Sequence, residues 1–273
     1  NTLRSNADEL KEIADKYSWK ITQLEFSDRA FKLSVSPIPN FGQVPEYQEG
    51  KFYIQQLASM LPAIALDPKP GEKILDIAAA PGSKTTQMAE MMEDKGEILA
   101  NDNSEERMEI LKRAVERHKL TSIKFHLGDG AVLGDMYPEA FDKVMVDAPC
   151  SSEGILRYKA HKFFEWYLLS IYRMTEIQKQ LIDSGYKALK SGGTLVYSTC
   201  TFGPEENEAI ADYLIKKYPS AKIEPIEFAG VKTRPGLTAW EHFEFDKSVA
   251  NAMRLRPNEN DSVGFFLVKL KKS

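Results

Sequence analysis

The sequence predicts an α/β fold, a doubly wound and mostly parallel sheet preceded by a small α+β unit. Three observations predict it. From Lys73 onward, short apolar strand-like runs alternate with helical stretches, the pattern of β-α-β crossovers. Three of those runs deliver a carboxylate at or just past their ends, at Asp102, Asp129 and Asp147. Before Lys73 the pattern differs, and a stretch bearing Pro37, Pro39, Gly42 and Pro45 separates the two parts.

Residues 1–36 read as a β-α-β-β unit. Asn1–Leu3 carries strand signal, and Asp8–Tyr17 spaces Leu10, Ile13, Ala14 and Tyr17 along one helix face. Ile21–Phe26 and Ala30–Val35 alternate on either side of the turn Ser27-Asp28-Arg29. Residues 37–54 read as a linker, and 55–273 as the main domain. Gln55–Ala65 predicts a helix interrupted or kinked at Pro62. Strands follow at Lys73–Ile77, Gly96–Asn101, Ser122–His126, Phe141–Val146 and Thr194–Ser198. Helices Thr85–Met92, Ser104–His118 and much of His161–Leu189 fall between them, with Ser104 an N-cap and Gly192-Gly193 closing the last. Pro204, Glu205 and Glu206 predict a helix start, a tolerated proline followed by acids facing the positive helix end, and the helix runs to Lys217. Ile223–Glu227 and Gly264–Leu270 complete the sheet, the latter as an antiparallel edge.

The chain has 273 residues, 42% hydrophobic and 28% charged, enough to bury a full core. No apolar stretch approaches the ~20 residues that span a bilayer, and no basic-then-apolar leader opens the sequence. The expectation is a soluble, cytoplasmic protein. Its two cysteines, Cys150 and Cys200, suit a reducing compartment, and without a histidine cluster beside them they do not make a zinc site. His118, His126, His161 and His242 fall outside every motif. Formal charge is −4, yet Gly154–Lys190 and Lys247–Ser273 are each net +4, which permits an RNA partner.

Chemistry concentrates where strands end. In FDKVMVDAPC, Phe141–Cys150, an apolar run stops at Asp147, placing Asp147 and Cys150 at the lip of a cleft. Cys150 there is either a nucleophile or a buried structural thiol. Asp76-Ile77-Ala78-Ala79-Ala80-Pro81-Gly82-Ser83-Lys84 leaves the first strand and enters a helix. Small residues let a ligand approach that backbone, though neither a G-x-G-x-x-G nor a phosphate loop is present. Asp102, about 20 residues beyond the glycine-bearing loop, can hold ribose hydroxyls. Asp129, inside Gly128-Asp129-Gly130, can meet an adenine edge. Singly, each acid also serves as a turn former or cap; together they predict an adenosyl cofactor.

AAAPGSKT, DAPCS, and YSTCT followed by PEENE resemble the Sun (Nop/Nol) family of S-adenosylmethionine-dependent RNA cytosine-5 methyltransferases. The resemblance extends to NTLR at the front, GKFYIQQLASML before the first strand, and RLRPNENDSVGFFLVKLKK at the end. It implies a Rossmann-like class I methyltransferase domain behind an N-terminal RNA-binding unit. It also implies S-adenosyl-L-methionine contacts from Ala78, Ala79, Ala80, Pro81, Gly82, Ser83, Lys84, Asp102, Arg107, Asp129 and Asp147. In the family the Thr-Cys residue, here Cys200, attacks carbon 6 of cytosine, and the Pro-Cys residue, here Cys150, helps release the product. Asp147 positions the base. The implied substrate is tRNA, since the chain is most like the compact archaeal tRNA enzymes; an rRNA substrate and a non-catalytic RNA-binding assembly factor are the alternatives. Ala78, Ser83 and Ser152 depart from the family's frequent Cys, Gly and Gly, which puts local loop geometry in question. Lys84 is either a surface residue or the edge of the site. Arg157, Lys159, Arg254 and Arg256 are either phosphate contacts or surface charge.

The chemistry explains why two thiols and an acid belong together. Carbon 5 of cytosine is a poor nucleophile until a thiolate adds to carbon 6 and makes it enamine-like. A free thiol has a pKa near ~8.5, so the site must favour the thiolate, and the helix predicted from Pro204 offers its positive end.

Overall fold

The computed structural model describes residues 1–155 and 168–273, with side chains for 1–155 and 171–273. Arg157, Lys159, His161 and the first part of the helix expected within His161–Leu189 lie outside the described residues.

The N-terminal unit is α1 (Ala7–Lys16), β1 (Lys20–Gln23) and β2 (Phe31–Ser34), the two strands paired antiparallel. Asn6 starts α1 by accepting from the amides of Asp8 and Glu9, and Asp8 and Glu9 sit where the helix end is positive. The strand expected at Asn1–Leu3 is a turn. Asn1 is instead tied to residues 50 and 51, its Nδ2 donating to Gly50 O at 2.9 Å, so it joins no sheet. The expected linker is also packed rather than free. It holds α2 (Pro45–Gln48), and Val44 and Phe52 are buried with Ile13 beneath the rings of Tyr17, Trp19, Phe41 and Tyr47. Aromatic residues spaced through this proline-bearing stretch gave it a core to join.

The main domain follows as α3 (Leu57–Leu66), β3 (Lys73–Asp76), α4 (Ser83–Met91), β4 (Glu97–Asp102), α5 (Glu105–His118), β5 (Ile123–Leu127), α6 (Leu133–Met136), β6 (Phe141–Asp147), α7 (Leu168–Ala188) and β7 (Leu189–Thr199). Helix α3 continues through Pro62. The chain then forms α8 (Glu208–Lys217), β8 (Ala221–Glu224), β9 (Thr233–Pro235), the hairpin β10 (Ala239–Trp240) and β11 (Phe243–Glu244), β12 (Met253–Leu255), α9 (Pro257–Asn260) and β13 (Phe265–Lys272). The large sheet runs β5-β4-β3-β6-β7-β13-β12-β9, with β8 also on β13. Pairs from β5 to β7 are parallel and those of β13 antiparallel. The final strand is antiparallel as expected, but it is interior, because β12 and β8 cover its far side.

Period-two alternation divides the strands between two buried faces. Val144, Val146, Leu195, Tyr197, Phe266 and Val268 pack on one side with Ile182, Tyr186 and Leu214. Met145, Val196 and Leu267 pack on the other with Leu61, Met88, Met92 and Leu111. Two expected helix boundaries move. Helix α7 ends at Ala188, and Gly192-Gly193 lies within β7. Helix α8 starts at Glu208, four residues after Pro204, because Asn207 is held by Thr199 and Thr201 (Thr199 Oγ1 to Asn207 Oδ1, 2.5 Å).

Candidate active site

Four neighbouring strands, β4, β3, β6 and β7, end on one side of the sheet, and their last residues or the loops just beyond carry the polar groups expected from the sequence. At β4, Asp102 is buried and accepts from Ala80 N at 3.2 Å and Ser104 N at 3.1 Å. Arg107, on the first turn of α5, lies 3.3 Å from Asp102 and donates to Ala80 O at 2.5 Å. One carboxylate and one guanidinium thus brace Ala78–Lys84 against α5. Gly82 serves that packing: its φ is +106°, and a Cβ there would stand 2.7 Å from the Leu111 side chain. Asp129 is exposed past β5 and caps the following turn through Ala131 N at 2.9 Å.

Asp147 and Ser198 are register partners on β6 and β7, and the Ser198 hydroxyl donates to Asp147 at 2.7 Å. Lys84 resolves toward the site. Its side chain is buried and its Nζ donates to the other Asp147 oxygen at 2.7 Å.

Sequence reasoning missed Asp76, although it ends its strand as Asp102 and Asp147 do. Asp76 is buried, accepts from Thr85 Oγ1 at 2.7 Å, and leaves Oδ1 without a hydrogen-bond partner among the described residues. Burial pushes its carboxyl up to about 7, against the Thr85 hydrogen bond and with a further push from Asp147. From pH 3.8 to about 7 the unfolded chain has lost this proton and the folded chain has kept it, so stability falls as pH rises through that window. Asp76→Asn removes the charge. In ligand-free protein it should raise Tm at pH 8 on the order of 5 °C and change it little at pH 4. A Tm difference that does not widen with pH would contradict the buried-carboxyl account.

The residues fit an adenosyl sulfonium ligand. Asp76 offers a buried orphan oxygen, Asp102 a braced carboxylate, and Lys84 an ammonium. Acceptors of this kind suit hydroxyls and positive charge; the ammonium suits a carboxylate.

The thiols come from two loops fifty positions apart and meet at 3.3 Å, Cys150 Sγ to Cys200 Sγ. The hydrogen bond with Cys150 holds the Cys200 thiol below its ordinary value against the cost of burial, with help from Ser152 and Lys84. Cys150 is pushed well above its ordinary value, first by that same bond and then by burial. Cys200 is therefore the more acidic thiol of the pair. No helix end produces this, since α8 begins eight residues beyond Cys200.

Two further carboxylates, absent from the expected set, hold the loops together. Glu206, fully buried, accepts from Ser151 N at 2.9 Å and from Gln178 Nε2 at 2.8 Å. Glu153 accepts from Thr201 Oγ1 at 2.9 Å, Phe202 N at 3.1 Å and Gly203 N at 3.0 Å. Each acid follows one cysteine and fastens the loop of the other. Arg254 is not available to a phosphate, because both its Nε and Nη2 bind Glu208 at 2.5 Å. Lys187, Lys190, Lys269 and Lys272 also sit beside carboxylates from outside their segments, which reduces the positive charge counted there from the sequence. Tyr197 is core, with its hydroxyl donating to Glu206 O at 2.6 Å. Among the described residues no group of three or more His, Cys, Asp or Glu is placed to hold a metal ion, and no helix is long and apolar enough to cross a membrane.

A family model described as 16S rRNA methyltransferase RsmB/F matches residues 63–271. The whole chain is 40% identical to the tRNA (cytosine(49)-C(5))-methyltransferase of Pyrococcus abyssi and covers 86% of that protein. It is 37% identical to ribosomal RNA small subunit methyltransferase F of Klebsiella pneumoniae, of which it spans 56%. Among solved structures, a methyltransferase homolog protein from Pyrococcus horikoshii superposes with a TM-score of 0.88 at 31% identity, over all of this chain and 84% of that one. NSun6 from Pyrococcus horikoshii, solved with SFG, gives 0.75 at 34% identity over 86% of this chain and 56% of that one. On that match and those identities, the chain belongs to the RsmB/F (Sun) family of S-adenosylmethionine-dependent RNA methyltransferases, and its large sheet is the family's Rossmann-like catalytic domain.

Proposed function

We propose that this chain transfers a methyl group to carbon 5 of cytosine in tRNA through a covalent adduct between Cys200 and carbon 6. The observation that carries the reading is the 3.3 Å approach of two thiols, one held low and one high, beside the Lys84–Asp147 pair. Bound along Ala78–Lys84, Asp102, Arg107 and Asp129, S-adenosylmethionine supplies an electrophilic methyl group.

Every other step falls to the chain's own side chains. Cys200 adds to carbon 6 and makes carbon 5 nucleophilic. Asp147, oriented by Ser198 and Lys84, accepts from the base's amino group and holds the ring over the sulfur. Cys150 stays a thiol during attack. Afterwards Cys150 gives its proton to solvent and, as a thiolate, takes the carbon 5 proton while the carbon 6–sulfur bond breaks and Cys200 leaves as a thiolate, one proton being released overall. The cytosine must leave its stack, which favours unpaired or loop positions. Residues 1–36, which share a small core with residues 41–52, are proposed to hold RNA beside the cleft.

The 40% identity to the archaeal tRNA enzyme favours tRNA over rRNA. Methyl transfer from labelled cofactor to separate tRNA and rRNA pools, with mapping of 5-methylcytosine, tests the reading. Label is expected in tRNA. Label confined to rRNA would move the substrate, and transfer to neither pool would favour a binding factor without turnover.

A further inference from the structure

Ser152 stands in the left-handed backbone region, at φ +62°, which residues with a Cβ seldom adopt. Its neighbours on both sides are tied to the Cys200 segment. Ser151 N is held by Glu206, and the Ser151 and Thr201 hydroxyls are 2.7 Å apart. Gly154 N donates to Cys200 O at 2.9 Å, and a Cβ on Gly154 would meet that oxygen at 2.8 Å and Gly264 O at 2.3 Å. Backbone strain persists where its surroundings over-determine it, and here they do.

The strained residue aims a hydroxyl at the reacting sulfur. Ser152 Oγ lies 3.7 Å from Cys200 Sγ and 3.3 Å from Cys150 O. Its single proton has two acceptors. While Cys200 is a thiol, the carbonyl takes it; once Cys200 is a thiolate, the charged sulfur is the stronger acceptor. We propose that Ser152 is a catalytic residue, its hydroxyl donating to the Cys200 thiolate alongside the Cys150 thiol. The proposal rests on the reading of Cys200 as nucleophile. Two donors on one loop then share the negative charge. When sulfur bonds to carbon 6 that charge disappears, and the hydroxyl returns to Cys150 O. A glycine at this position would accept the backbone at no steric cost and supply no donor.

Ser152→Ala and Ser152→Gly separate hydroxyl from backbone, since only glycine relieves the strain. The readouts are the pH dependence of Cys200 alkylation by iodoacetamide, followed on its own peptide, and kcat and KM for methyl transfer to tRNA. Both variants should move the Cys200 alkylation midpoint up by about one pH unit. The rate at neutral pH should fall only roughly threefold, because a less acidic thiol is intrinsically more nucleophilic. The value of kcat should fall by a similar factor while KM for tRNA stays unchanged, and Ser152→Gly should melt no lower than the parent. A midpoint that moves in neither variant overturns the proposal, as does one that moves in Ser152→Ala alone, which would assign the effect to backbone. Trapping on tRNA transcribed with 5-fluorocytidine tells this failure from failure of the reading beneath it. An adduct on Cys200 with unmoved alkylation removes Ser152 only. An adduct on Cys150 removes the nucleophile assignment and the proposal with it.

Discussion

Cys150→Ala should accumulate a covalent protein–RNA adduct that survives denaturation, and Cys200→Ala should form none. With Cys200 intact, attack and methylation still proceed, but the group that assists release is gone, so turnover should drop roughly 10²-fold or more. On the proposed mechanism Cys200 is what activates carbon 5, so transfer by Cys200→Ala should fall by at least about 10³-fold. The pair adds a finer expectation. Cys150 is the principal cause of the lowered Cys200 value, so Cys150→Ala should also raise the pH at which Cys200 alkylates and slow adduct formation at neutral pH. Gel-shift of the complex under denaturing conditions, with peptide mapping, reads both effects. An adduct in Cys200→Ala would reverse the assignment.

The second large effect is expected at Glu206. Glu206→Leu takes the acceptor from Ser151 N and Gln178 Nε2 together, leaving two donors unsatisfied in a buried place. At about 1–3 kcal/mol each, the loss is roughly 2–6 kcal/mol of stability. Because the loop of Cys150 is what comes loose, methyl transfer should fall further than the folded fraction does. Glu206→Gln should behave oppositely. It keeps an oxygen for the two donors, and burial already pushes the Glu206 carboxyl above its ordinary value, so losing the charge costs little. Urea unfolding of the two variants decides the matter. Equal destabilisation by Gln and Leu would mean that charge, rather than an acceptor, is what the loop needs.

The large sheet was legible because its strands are buried on both faces and helices separate them, leaving apolar runs that end in carboxylates. Asp147, Cys150 and Cys200 were legible for the same reason, since in an open α/β sheet the position just past a strand is already a location in space. The clasp was not. Glu205 and Glu206 after Pro204 have the chemistry of a helix start, and sequence spacing cannot show that Glu206 turns back to a loop fifty-five residues earlier. Asn207 gave no sign that β7 would hold it and delay α8. Asp76 carries the same signal, an acid closing an apolar run, but its burial and its unpartnered oxygen are visible only in the fold. At the front, strand-like composition in Asn1–Leu3 had no partner strand to pair with, and propensity without a partner yields a turn.

Both clasps close within six residues of a cysteine at either end, from Glu153 to Thr201–Gly203 and from Ser151 to Glu206. The gap between the sulfurs is consequently insulated from the length of chain joining the two loops. Residues could be added or removed between Ile155 and α7 without altering the distance at which the thiols meet. Such changes would leave the sulfur pair as it is. The spacing of the two sulfurs is therefore independent of the length of that connection.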